Sequence, residues 1–236
     1  MMIILHFLTF DLLCKMHPFV NFHSNDHIVY WAAITGGHFL LLHAGEFTLC
    51  PNEHFNPSCN LALGDITSHL SLDGQHYSMV HVKRSKTDQR HQGVTLYISH
   101  SNHSFCPACA MNSNLALQRS RPTLSERSPL FLLEKNQALT RQRVVTFVSY
   151  LLRLFGVDRT AFCGHSFRIG GVSSASLAGL AVYEIQMLGC WKTDCYKTYI
   201  NSPLNALLQF PQCIAKTASI TYQYANPYYY QNNQNA

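Results

Sequence analysis

The chain has 236 residues, 47% of them apolar, which supplies a sizeable core for one generous domain or a domain with appendages and excludes global disorder. Charged residues make up 12%, about half the usual share, and the formal charge of +5 suits a polyanionic partner without demanding one. Nine cysteines, an odd number scattered without a small-domain framework, read as reduced thiols in an intracellular protein rather than a secreted disulfide scaffold.

The opening Met1–Leu13 is apolar but has no basic start and no clear small-residue cleavage site, and it is too short to span a bilayer. A packed N-terminal helix is expected there. Asp11–His17 and Ile28–Glu46 read as helices, the second strongly apolar around Trp31, Ile34, Phe39, Leu41 and Leu42. Pro51 and Pro57 break the chain into a loop. Asn60–Ile66 and Ser78–Lys83 alternate loosely, as strands do, and Gln92–Ser99 is the clearest strand, with Val94, Leu96 and Ile98 on one face. Between the last two, the polar and basic stretch Arg84–Arg90 closes a hairpin.

Helical periodicity resumes at Ala108–Gln118, and Arg121–Ser128 is a loop. Thr140 is placed to cap a helix running to about Phe155, with Val144, Phe147, Val148, Leu151 and Leu152 as its apolar stripe and Gly156 at its end. Ser166–Ala178 and Val182–Leu188 are two further helices, stopped by Gly179 and Gly189. The tail after Thr217 is rich in Tyr, Gln and Asn, has no period, and is expected to be mobile. These elements predict an α+β fold, mainly α, with one small antiparallel sheet.

The residues that bear on chemistry cluster late in the chain. Gly164-His165-Ser166-Phe167-Arg168-Ile169-Gly170-Gly171 puts a His and an Arg three apart, on one face of a helix. Leu188-Gly189-Cys190-Trp191-Lys192 comes next, and then Tyr199-Ile200. This order resembles the C-terminal signature of the tyrosine recombinases, the phage-integrase-like DNA strand-transfer enzymes. The resemblance extends over residues 11–202. Leu41-Leu42-His43-Ala44-Gly45-Glu46-Phe47-Thr48 is similar to an F-L-R-x-G-E-F-T segment, Ser85-Lys86-Thr87-Asp88 to an S-K-T-D turn, and Cys106-Pro107 to a C-P helix start. Recombinases of Crypton-like and DIRS-like mobile elements are the members it most resembles.

That resemblance implies a set of roles. Strand cleavage needs a phenol to attack phosphorus, cationic donors on the non-bridging oxygens, and an acid for the departing 5′-oxygen. Tyr199, ten residues after Gly189, takes the place of the nucleophile, with nearby Tyr196 as its competitor. Arg168 stands for the second phosphate-clamping arginine, whose planar fork suits phosphate, and His165 for the histidine beside it. Lys86 matches the hairpin lysine that protonates the leaving oxygen, and Trp191 the bulky residue that contacts the scissile phosphate. The basic residues Lys83, Arg84, Arg90, Lys192 and Lys197 are assigned to DNA phosphates. Double-stranded DNA is the implied partner, with self-association into a tetramer on DNA and a nuclear location in a eukaryote. No ATP, metal or other cofactor is implied, since the phosphotyrosine conserves the phosphodiester energy.

Two positions depart from the pattern. The first clamping arginine falls on His43, and Cys190 stands where relatives carry Arg. An ordinary imidazole is charged in only about a quarter of molecules at pH 7, and losing one preorganised oxyanion donor costs on the order of 10²–10³ in rate. Arg→His and Arg→Cys are both products of deamination at CpG-containing arginine codons, so a decaying or domesticated element-derived copy is expected. A binding module without cleavage is the alternative. By this alignment residues 1–25 are the lead-in to a missing DNA-gripping domain, 26–210 the catalytic domain and 211–236 the tail. A separate cluster, His100, His103, Cys106 and Cys109, has the residue types of a zinc site but lies in one short segment with uniform gaps, so no metal is assigned.

Overall fold

The computed structural model describes residues 8–84, 93–157, 162, 164, 166–189 and 204–216, which form eight α-helices and a three-stranded sheet. The first helix, α1 (Phe10–Met16), is set locally. Thr9 Oγ1 accepts from the Leu12 N–H, and Asp11 pairs with Lys15 one turn on at 2.8 Å. Its inner face, Phe10, Leu13 and Met16, is fully buried. The segment also reaches across the molecule: the Leu8 N–H donates to Ser166 O at 3.2 Å and the Phe10 N–H to Ser174 Oγ at 3.1 Å. Residues 8–16 therefore share one core with the helices later in the chain.

Helix α2 (Asn25–Phe39) starts at Ser24, whose hydroxyl accepts from the His27 N–H. Its second half is buried on all sides, because α4 (Pro107–Arg119), α5 (Arg141–Leu154) and α6 (Ser166–Leu177) surround it. The expected single helix over residues 28–46 does not form. It breaks at Leu40–Leu42 in a Schellman turn, with Leu41 N–H to His38 O at 3.2 Å and Leu42 N–H to Gly37 O at 2.9 Å. Leu41 occupies the left-handed position of that turn at φ +52°, where glycine is the usual residue. Its side chain is fully buried, and that burial holds the backbone there. A short helix, α3 (Ala44–Phe47), resumes immediately after.

The sheet runs β1 (Ile66–Leu70), β2 (His76–Val82), β3 (Val94–Ser99), all antiparallel, with Ile66 opposite Val80 and Val80 opposite Leu96. Its core face is Ile66, Val80, Val82, Leu96 and Ile98. The strand expected at 60–66 is displaced. Asp65 accepts from the Ala62 N–H at 2.8 Å and closes a tight turn over Leu63–Asp65, so extension begins only at Ile66. The Ser71–Gln75 turn with Gly74 at φ +79° then makes a hairpin that the periodicity does not reveal. The Arg84–Arg90 turn lies, from residue 85 on, outside the described residues.

Helix α5 follows its expectation, with Thr140 Oγ1 accepting from the Arg143 N–H, the predicted stripe buried, and Gly156 at φ +75° past its end. Helices α6 and α7 (Val182–Leu188) also form where expected, and Gly179 ends α6 in the left-handed region. Gly189 keeps a negative φ, so its use is not conformational. An eighth helix, α8 (Leu204–Ala215), has no counterpart among the elements expected from periodicity. It buries Leu208 and Ile214 against β3 and α6, and the Ser99 hydroxyl donates to Leu208 O. The tail beyond residue 216 lies outside the described residues.

Two glycines of α6 are steric requirements. A methyl group on Gly170 would overlap the Leu8 backbone, and one on Gly171 the His38 carbonyl and the Leu41 side chain. The Gly-Gly pair thus lets the N-terminal segment and the α2 terminus press on α6 from two sides. His38 is itself fully buried, and burial pushes its pKa down to about 3. The unfolded chain therefore takes up a proton on this histidine below about pH 6.5 that the fold refuses down to about pH 3, so stability falls with pH across that window. The expected loss between pH 7 and pH 5 is about 2 kcal/mol from this group. Urea midpoints measured across that range should show the slope flattened in His38→Leu; an unchanged slope would assign the pH dependence to other groups.

Candidate phosphate-binding site

The turn at Leu40–Leu42 delivers His43 to the N-terminus of α3, and Glu46 folds back so that its Oε2 accepts from the His43 N–H at 2.8 Å. The same Oε2 lies 3.8 Å from Nη1 of Arg168 on α6. Nη2 of Arg168 donates to the carbonyl of Gly189, at the end of α7. Both side chains of the pair are about 5% exposed, so this is an internal ion pair rather than a surface one. One chain of contacts therefore links position 43, the α3 carboxylate, the α6 guanidinium and the Gly189 backbone. The Ala44 N–H adds a further link, donating to Gly164 O at 3.4 Å.

Phe167, next to Arg168 on α6, packs into the core. It is fully buried and meets Phe47 and Phe162 edge-on at 5.6 and 5.5 Å. Both residues thus reach α3, Phe167 through the Phe47 ring and Arg168 through the Glu46 carboxylate. Beside His43 opens a cleft of about 960 Å³, lined among others by His43, Glu53, Arg84, Arg141 and Gly164. Arg84 and Arg141 are exposed on its walls. Burial raises Glu53, but hydrogen bonds from Asn60 and the Cys50 N–H and the charge of Arg84 outweigh it, and the carboxyl is held below its ordinary range.

Of the predicted set, His43 and Arg84 line the cleft, and Arg168 is joined to the His43 backbone through Glu46. Lys83 is not in that group. Its ammonium is 2.7 Å from Asp65 and 2.6 Å from Pro57 O, where it pins the end of β2 to the turn before β1. Lys86, Arg90, His165, Trp191, Lys192, Lys197, Tyr199 and its competitor Tyr196 lie outside the described residues, as does Cys190.

Two residues of the site are given no role by the sequence. Glu46 stands out only as part of a motif, yet it holds Arg168. Arg141 opens α5 with no acidic residue in the first turn and Arg143 close behind. Cations at a helix N-terminus run against the macrodipole, and a choice that opposes local preference points to a use elsewhere. Among the described residues the cleft is the use the structure offers.

No described protein family and no curated protein matches this sequence. Solved structures do. The XerH site-specific recombinase bound to its difH substrate before cleavage superposes with a TM-score of 0.55 at 14% identity, over 91% of this chain and 53% of that one. The post-cleavage complex with palindromic difH gives 0.56 at 14%, over 86% and 51%. An FLP recombinase–Holliday junction complex gives 0.50 at 14%, over 86% and 49%. The fold is that of the tyrosine recombinase catalytic domain.

The chain spans about half the length of these recombinases. At 14% identity the likeness is one of backbone, and the small sheet with its surrounding helices is the part this chain shares with the recombinase fold. Among the described residues no helix is long and apolar enough to cross a membrane.

Proposed function

We propose that the chain is a DNA-binding protein of tyrosine recombinase descent, whose ancestral reaction is strand cleavage and rejoining through a 3′-phosphotyrosine at Tyr199. The observation that carries this reading is the buried Arg168–Glu46 pair tied to position 43 beside a cleft walled by Arg84 and Arg141. A guanidinium carries five N–H donors in a planar fork whose geometry matches phosphate. In the reaction the Tyr199 oxygen bonds to phosphorus as the bond to the 5′-oxygen breaks. Lys86 supplies the proton to that oxygen, Arg168 and His165 steady the non-bridging oxygens, and Trp191 positions the phosphate. A 5′-hydroxyl attacking the phosphotyrosine reverses these steps and restores the phenol.

The reactive unit takes in residues 26–210 together with α1 and the rest of α8, which share its core. Its DNA is double-stranded, and Arg84, Arg90, Arg141, Lys192 and Lys197 meet phosphates along it. Such contacts make affinity steeply salt-dependent. Self-association on paired sites, a nuclear location and kinship with Crypton-like and DIRS-like elements complete the reading.

A second reading, binding without cleavage, is favoured by one residue: position 43 offers an imidazole where the reaction wants a fixed cation. Covalent trapping on nicked suicide duplexes taken from the flanks of the encoding element separates the two. A denaturation-resistant protein–DNA adduct, abolished in Tyr199→Phe with gel retardation intact, is the expected result for the enzyme. Retardation with no adduct in either protein assigns the binding module, and an adduct that persists in Tyr199→Phe removes Tyr199 from its role.

A further inference from the structure

We propose that His100, Cys106 and Cys109 form a zinc site with three protein ligands, joining the end of β3 to the first turn of α4. Their ligating atoms lie within 4.8 Å of one another. His100 Nδ1 is 3.4 Å from Cys106 Sγ and 3.5 Å from Cys109 Sγ. Zinc bonds of about 2.3 Å to sulfur and 2.0–2.1 Å to nitrogen, at the tetrahedral angle, set the N···S edge at about 3.5 Å. Both N···S edges match, and the two sulfurs lie within 4.8 Å of each other.

Hydrogen bonding does not account for this convergence equally well. A neutral imidazole nitrogen has one lone pair or one proton to share, and two thiols approach the same atom. A single cation satisfies all three groups at once. The surroundings also suit a metal-bound thiolate: the Ser101 N–H donates to Cys106 Sγ at 3.4 Å, the kind of outer contact that orients a ligand. Cys106 is the N-cap of α4 and Cys109 lies in its first turn, so both sulfurs sit where a helix favours negative charge. The recombinase resemblance accounts for Cys106-Pro107 and leaves His100 and Cys109 unexplained.

His103, the fourth residue of the sequence cluster, is placed elsewhere. Its Nδ1 accepts from the Phe105 N–H at 3.3 Å, and its ring meets Phe10 and Phe105 at 5.3 and 4.9 Å. The fourth position of the metal therefore opens to solvent past the exposed Cys109 and takes a water molecule. The site closes the 100–109 loop on the side of the sheet that leads into α4.

The test uses the full chain, produced without a histidine tag, in reductant, and dialysed against trace zinc. Elemental analysis should find one zinc per chain in the wild type and in His103→Ala, and none in Cys109→Ser or His100→Ala. Cobalt exchanged into the wild type should give the visible bands of tetrahedral coordination and a thiolate charge-transfer band, both missing from Cys109→Ser. Cys109 is exposed, so its serine variant keeps the native circular dichroism and reports on the metal alone. Absence of zinc from the wild type, or equal retention in Cys109→Ser, overturns the site. Loss of zinc in His103→Ala overturns the three-ligand assignment.

Discussion

Replacing Arg168 by methionine is expected to destabilise the fold by about 3–5 kcal/mol, the range for breaking a buried ion pair by removing one partner. The size reflects the groups left behind. The Glu46 side chain is 5% exposed, and without the guanidinium its carboxylate loses its countercharge. Gly189 O loses its donor as well, so the end of α7 is released from α6. The double variant Arg168→Met/Glu46→Gln should recover part of the loss, because a neutral amide oxygen still accepts the His43 N–H. Urea unfolding of the four proteins, treated as a double-mutant cycle, yields the coupling. A single-variant loss under about 1 kcal/mol would mean the pair behaves like a surface one and that Arg168 is not anchored by α3.

Anchorage of Arg168 bears on chemistry as well as stability. If the second clamping position is held by the protein before DNA arrives, its donors need no reorganisation during the reaction, which is the condition for electrostatic catalysis to be large. On the proposed reading, position 43 is where the partner cation of that clamp would stand. Replacing His43 by arginine is accordingly expected to raise the rate of covalent adduct formation on suicide duplexes by about 10²–10³. The substitution suits the site, since His43 already lines the open cleft and the backbone N–H it gives to Glu46 is one that arginine also has. The long side chain extends into solvent-filled space near Glu53, so the fold should change in stability by less than about 0.5 kcal/mol. The comparison is made at one fixed salt concentration, because phosphate contacts alone would otherwise change affinity. An equal rate in both proteins would show that position 43 is not part of the phosphate clamp. Adduct in the variant alone would describe an intact scaffold whose chemistry stopped at one residue.

Much of the helical framework is legible in the sequence because it is locally determined. Thr140, the apolar stripe of α5 and Gly156 specify that helix with contacts inside one segment, and β3 shows its alternation just as plainly. The fold class comes from the predicted elements and the recombinase fold from the motif resemblance, and superposition on the recombinases agrees with both at 14% identity. The elements that differ from expectation share a cause. The 28–46 helix breaks at a leucine in a left-handed conformation, and no glycine or proline marks the place. Burial of the Leu41 side chain, a tertiary effect, stabilises a backbone the residue would otherwise avoid. The strand near residue 60 is displaced for a similar reason. An Asp65 carboxylate caps a turn there and meets Lys83 just past the end of β2, and that pairing is invisible along the chain.

The sequence by itself determined the helices with their own caps and stripes, the presence of a small sheet, and the candidacy of positions 43 and 168. Local spacing and residue type suffice for the elements, since each depends on neighbours a few residues away, and the candidacy of positions 43 and 168 is what the family resemblance implies. Only the tertiary structure decided that Glu46 holds Arg168, that Arg141 joins the cleft, and that His100 meets Cys106 and Cys109 while His103 turns away. Those outcomes depend on which faces meet across α2, α6 and the β3–α4 junction, and packing selects those faces from many that local preference allows equally.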